Sequence, residues 1–139
     1  VPDSSLIDQA LLMRLGSDAT LLGLCPNGVY YQEAPEGAKQ FVIVSLVEEH
    51  DEGTFEQRGF EDALYMVEAR MASTAGGNIQ AAAARIDALL EDVPIEAAGF
   101  HAMACFRESR LRMTEVDDAD PSIRWFRRGG MYRVQVSLV

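Results

Sequence analysis

The closing stretch of the chain alternates: Tyr132, Val134, Val136 and Leu138 are apolar, and Arg133, Gln135 and Ser137 between them are polar. A period of two marks a strand with one face buried. The pattern predicts a strand over Arg124–Leu138 that lies within the core sheet rather than forming a tail. A second strand is predicted at about 100–113. A third falls at about 59–72, where Ala63, Tyr65, Val67, Ala69 and Met71 alternate with Glu68 and Arg70. The run at 41–49 starts almost continuously apolar, as in a strand covered on both faces. Val29, Tyr30 and Tyr31 form a short strand after the turn residues Pro26, Asn27 and Gly28.

Helical spacing appears twice. Ile79, Ala82, Ala83, Ile86, Leu89 and Leu90 recur at the period of a helix over 78–92, with Asn78 near its cap and Pro94 stopping it. A first helix begins at Ser4 or Ser5, carries Asp8 in its first turn, shows Leu6, Ala10 and Met13 as its apolar stripe, and ends at Gly16. The segment 17–24 forms a further short turn. This order predicts a single α+β domain over 1–139. An antiparallel sheet of about four strands carries two helices packed on one face. Between the 41–49 and 59–72 strands, the polar segment EEHDEGTFEQR reads as an extended, mobile hairpin arm.

Charge modifies this picture. The 139 residues carry a net charge of -10. Residues 1–106 hold 17 acids and 5 bases, whereas 107–139 hold 5 acids and 7 bases, all arginine. Such asymmetry steers complementary surfaces of identical copies together, and the acidic whole disfavours tight binding to a nucleic acid backbone. The most apolar stretch, 41–47, is far shorter than the roughly 20 residues of a membrane-spanning helix, so no membrane role is expected. The N-terminal VPDSSLID lacks the basic and apolar regions of a secretory signal. Cys25 and Cys105 form no CxxC pattern, which predicts neither a disulfide framework nor a zinc site and fits synthesis in a reducing cytoplasm.

Candidate chemistry is sparse. His101 and Cys105 are spaced HxxxC, but on a strand rising about 3.3 Å per residue they lie about 13 Å apart and share no ion. His50 sits among Glu48, Glu49, Asp51 and Glu52 in what reads as a solvated loop tip, without apolar neighbours to desolvate the carboxylates. STAGGNIQ approaches a helix N-terminus, yet it lacks GxGxxG and the GK[ST] ending of a phosphate loop. GxSxG and HExxH are absent from the sequence. The residues predict no enzyme, no cofactor and no metal site.

The order and spacing of DSSLIDQALLMRL, GVYYQEAPEGAKQFVIV, ALYMVEARMA, GGNIQAAAARIDALLED and RWFRRGGMYRVQVSLV resemble the tail-completion (tail terminator, head-tail joining) proteins of long-tailed bacteriophages and gene transfer agents. The resemblance spans nearly the whole chain and rests on residue types, closing on a Gly followed by an aromatic, basic and apolar strand. It implies a homo-hexameric ring at the head-proximal end of the tail tube, in the neck of the virion tail. The ring would stop tube polymerisation and join the tail to the head connector. The implied partners are further copies of the chain, the tail tube protein and a head-tail connector or stopper protein, with DNA passing through the lumen without specific binding. Residues expected at the subunit or tube interface are Glu48, Asp51, Glu52, Phe55, Glu56 and Arg58 of the arm, and Arg127 and Arg128 of an RRGG turn facing a neighbour's acids. Two alternatives stand beside this reading: a neck or head-completion component of the same particle, and a small ligand-binding or enzymatic α+β domain.

Overall fold

The structure is a computed structural model and describes residues 5–53, 58–73, 78–93 and 100–138. Among the described residues the chain forms α1 (Ser5–Gly16), α2 (Ala19–Leu24), β1 (Val29–Tyr31), β2 (Gln40–Gly53), β3 (Arg58–Ala72), α3 (Ile79–Leu90), β4 (Phe100–Val116) and β5 (Arg124–Leu138). The strands make one sheet in the order β1-β2-β3-β5-β4. The expected α+β class holds, with β5 interior to the sheet. The sheet differs from a purely antiparallel four-stranded one, because β1 joins it as a fifth strand, parallel to β2. Asn27 anchors this pairing beside its backbone bonds. Its side-chain oxygen accepts from the amides of Lys39 (3.1 Å) and Gln40 (2.9 Å), which fixes the start of β2 beside the start of β1.

The odd-numbered positions of β3 face the helices. Ala63, Tyr65, Val67, Ala69 and Met71 join Val42 and Val44 of β2 and Tyr132, Val134 and Val136 of β5 in a buried core. Helix α3 adds Ala82, Ile86, Leu89 and Leu90, with Ile79 packed at the margin. Ala83, expected in that stripe, is only half-buried and turns toward the groove described below. In α1 the buried stripe is Ile7, Leu11 and Leu15, whereas Met13 of the predicted stripe is 73% exposed. That helix is apolar around most of its circumference, so spacing alone did not select its inner face. The segment after it is a true helix, α2, whose N-cap Asp18 accepts from the Leu21 amide at 2.9 Å. The cap predicted at Asn78 is present and accepts from the Ala81 amide at 3.1 Å. Ser4, Gly76, Gly77 and Pro94 lie outside the described residues.

The expected hairpin arm is present and its sides are strand: β2 runs to Gly53 and β3 starts at Arg58, and β5 accompanies β3 as far as the Phe60–Ser137 pair. His50 therefore occupies a strand position rather than a loop tip. The RRGG segment is also strand, not turn, lying mid-way along β5 between β3 and β4. Glycine is required there. A Cβ on Gly129 would lie 2.0 Å from the Val67 carbonyl oxygen and 2.6 Å from the Glu68 Cα, and one on Gly130 would lie 2.8 Å from the Ser109 carbonyl oxygen. The strands pinch together at this point, beside a bulge in β4 between Arg107 and Ser109.

Candidate functional site

The two faces of the sheet sort the arginines. On the face away from the helices, Glu68 is fully buried and its Oε1 accepts from Arg70 (Nε and Nη2, both 2.7 Å) and Arg127 (Nε 2.9 Å, Nη2 2.8 Å). Arg127 also donates to Glu115. Burial works against the Arg127 charge, but the hydrogen bonds and charges of Glu68 and Glu115 outweigh it and raise the pKa above the usual arginine value. Further along the same face, Arg133 binds Asp62 at 2.6 Å, Glu108 at 2.9 Å and Glu48 at 3.3 Å. The hydrogen bond to Asp62, with lesser help from Glu48 and Glu108, raises its pKa further. These arginines are consumed in holding β2, β3, β5 and β4 together across the sheet.

The helix-side face is different. Beyond the edge of α3, β4 and β5 form one wall of a groove of about 440 Å3, lined on the helix side by Gln80, Ala83 and Ala84. Arg107, Arg110, Arg112 and Arg128 all line it. The β4 bulge explains this grouping, since register places Arg107 opposite Tyr132, Arg110 opposite Gly130 and Arg112 opposite Arg128. One extra residue changes the parity, so an odd position shares a face with two even ones. Arg107 is tied to Asp87 at 2.6 Å and its backbone amide donates to Glu91. Tyr132 also donates to Asp87, at 3.0 Å. Burial, reinforced by the Asp87 charge, pushes the Tyr132 phenol well above its usual pKa.

The expected interface residues are thus dispersed. Arg127 and Arg128, adjacent in sequence, lie on opposite faces, and Arg127 is occupied internally by Glu68 and Glu115. Glu48 serves Arg133 of its own chain. Asp51 and Glu52 occupy the distal part of β2, and Arg58 begins β3. Phe55 and Glu56 lie outside the described residues. Arg110 and Arg112 were missed as site residues. The RLR spacing at 110–112 on a strand was the available signal, but their union with Arg128 required the register. Cys25 and Cys105 are buried, with thiols pushed up by desolvation to about 11 and about 12, so they are poor nucleophiles.

No protein-family model and no curated protein matches the sequence. Among solved structures, the fold is similar to that of a chain from the virion of a native gene transfer agent particle. The two are 22% identical, with a TM-score of 0.61 over 96% of each chain. A second solved chain, 15% identical, superposes with a TM-score of 0.60 over 100% of this chain and 97% of its own. The fold is therefore shared end to end with a protein that forms part of such a particle.

Proposed function

We propose that the protein is a structural component of a phage-like particle, either a long-tailed phage or a gene transfer agent. In this reading it forms a ring, six copies in the family it resembles, at the head-proximal end of the tail tube. The ring stops tube polymerisation and presents a docking face to the head connector or stopper protein. The single observation that carries the reading is the end-to-end correspondence with a chain of a gene transfer agent virion. The arrangement of charge agrees with it. The chain invests its internal arginines in cross-strand networks that stiffen a sheet, and its remaining charge lies at surfaces suited to orienting neighbours rather than at a desolvated reaction centre. A net charge of -10 also suits a lumen through which DNA must slide without being held.

The test is loss of the protein from its particle. Particles assembled without it should carry tubes of uncontrolled length that fail to join heads, and addition of purified protein should restore both. Shortening the β2–β3 hairpin to a two-residue turn should leave the fold intact yet abolish capping. Tails of normal length, joined normally to heads in the absence of the protein, would reject the role.

A further inference from the structure

Three guanidinium groups in the groove beside α3 have no counter-ion among the described residues. Among the described residues, Arg110, Arg112 and Arg128 make no ion pair and no side-chain hydrogen bond, whereas Arg14, Arg70, Arg85, Arg107, Arg124, Arg127 and Arg133 all do. Among the described residues the one acid lining the groove, Asp87, is already engaged by Arg107 and Tyr132. A protein of net charge -10 thus gathers three arginines without a partner among the described residues in one concave place, where their mutual repulsion is relieved by an incoming anionic group.

We propose that this groove receives the acidic distal end of the β2–β3 hairpin of a second copy of the chain, making the head-to-tail contact of the ring. The proposal rests on the ring reading above and adds the contact that would build it. Register supplies the geometry. Arg128 pairs with Ala69 and Glu52 pairs with Phe60, both on β3. Nine residues of strand at about 3.3 Å each separate them by about 30 Å. A chain therefore cannot place Glu52 or its neighbour Asp51 in its own groove, but a second copy can. Donor and acceptor surfaces at opposite ends of one subunit form a heterologous contact, which propagates and closes into a ring when the rotation permits. The occupant fits by charge. Glu48, Glu49, Asp51 and Glu52 precede Gly53 in the hairpin, four acids in five residues, of which Glu48 is engaged by Arg133 of its own chain. Nucleic acid is the less suitable anion, because the whole chain repels it at long range.

The test is a disulfide trap in the full chain carrying Glu52→Cys and Arg128→Cys. A disulfide needs Cα atoms about 4.4–6.8 Å apart, so the pair cannot close within one chain. Mild oxidation with copper phenanthroline should give a ladder of linked copies, at least tenfold more abundant than from either single-cysteine variant. Adding Arg110→Glu and Arg112→Glu, or the milder Arg110→Gln and Arg112→Gln should folding suffer, should suppress the ladder. A further Asp51→Lys in the Glu variant should restore it. Monomers only, or linkage no greater than in the single variants, overturns the proposal. So does a 20-base-pair DNA duplex that binds the parent protein at physiological salt and loses binding with the two Glu substitutions. The two readings fail separately: normal capping of tails by the Arg110→Glu, Arg112→Glu protein rejects the groove contact and keeps the tail role. A clear ladder from a protein whose loss leaves tails unchanged does the reverse.

Discussion

Replacing Glu68 by Gln removes one charge from the face away from the helices while keeping the shape of the side chain. The amide oxygen can take the place of Oε1, and its nitrogen replaces Oε2, which accepts no hydrogen bond from the described residues and therefore offers the new N–H groups no acceptor. What is lost is the ionic character of the bonds to Arg70 and Arg127. Breaking a fully buried ion pair costs about 3–5 kcal/mol. Here the guanidinium-bearing side chains keep 29% and 14% of their exposure, and Arg127 keeps Glu115, so solvent and that second acid recover part of it. A charge-assisted hydrogen bond exceeds a neutral one by about 1 kcal/mol, and two arginines are affected, so the expected loss is about 2 kcal/mol. For a domain of this length that corresponds to a fall of about 7 °C in Tm. Urea and thermal denaturation followed by circular dichroism measure it. A double-mutant cycle with Arg127→Met isolates the pair, and Arg127→Met should cost about 1 kcal/mol less in the Gln background than in the parent. Stability within about 0.5 kcal/mol of the parent for Glu68→Gln would refute the reasoning, because such a change is what an unimportant surface position gives.

Three further outcomes follow from the packing. Gly129→Ala places a methyl carbon 2.0 Å from a backbone oxygen that cannot rotate away, so β5 must shift from β3 and the protein should lose about 2 kcal/mol or more in chemical denaturation. Ile86→Asp puts an unpaired carboxylate in the fully buried face of α3 and should cost about 3 kcal/mol or more, enough to abolish a normal melting transition. Asp18 is held at about 2 chiefly by its hydrogen bond to Arg85, below the ordinary value of 3.8. A depressed carboxylate pKa contributes stability above pH 3.8 that is lost as pH falls toward 2. Asp18→Asn preserves the N-cap while removing the charge, and a pH series of denaturation midpoints should show a shallower decline across that window than the parent.

Much of the architecture was legible because it rests on periodicity. Tyr65, Val67 and Ala69 of β3 and Tyr132, Val134 and Val136 of β5 fall on the helix side as their alternation predicts. The stripe of α3 was readable in its large residues, Ile86, Leu89 and Leu90, but its run of alanines left open that Ala82 faces the core and Ala83 the groove. In α1 Leu6, Ala10, Leu12 and Met13 surround the helix with apolar residues, and only the tertiary fit distinguishes Ile7, Leu11 and Leu15 as inner. The parallel β1–β2 pair was hidden for another reason: beside its backbone bonds it is anchored by the side chain of Asn27, whose turn character the sequence reveals but whose reach to Lys39 and Gln40 it does not.

The misreading of RRGG shows where a composition signal competes with position. Two glycines after polar residues favour a turn by local chemistry. In this sheet they serve close backbone approach, which becomes visible only when the neighbouring strands are in place. Once the segment is a strand, the fates of its arginines follow from period two alone. Arg127 and Arg128 must point to opposite sides, so they cannot share one function. The side away from the helices supplies Arg127 with Glu68 and Glu115, and its charge is spent on the fold. The helix side gives Arg128 the company of Arg110 and Arg112, delivered there by the parity change at the β4 bulge. A bulge is a single inserted residue, yet without it Arg110 and Arg112 would join the paired network on the other face and the groove would lose two of its unpartnered cations.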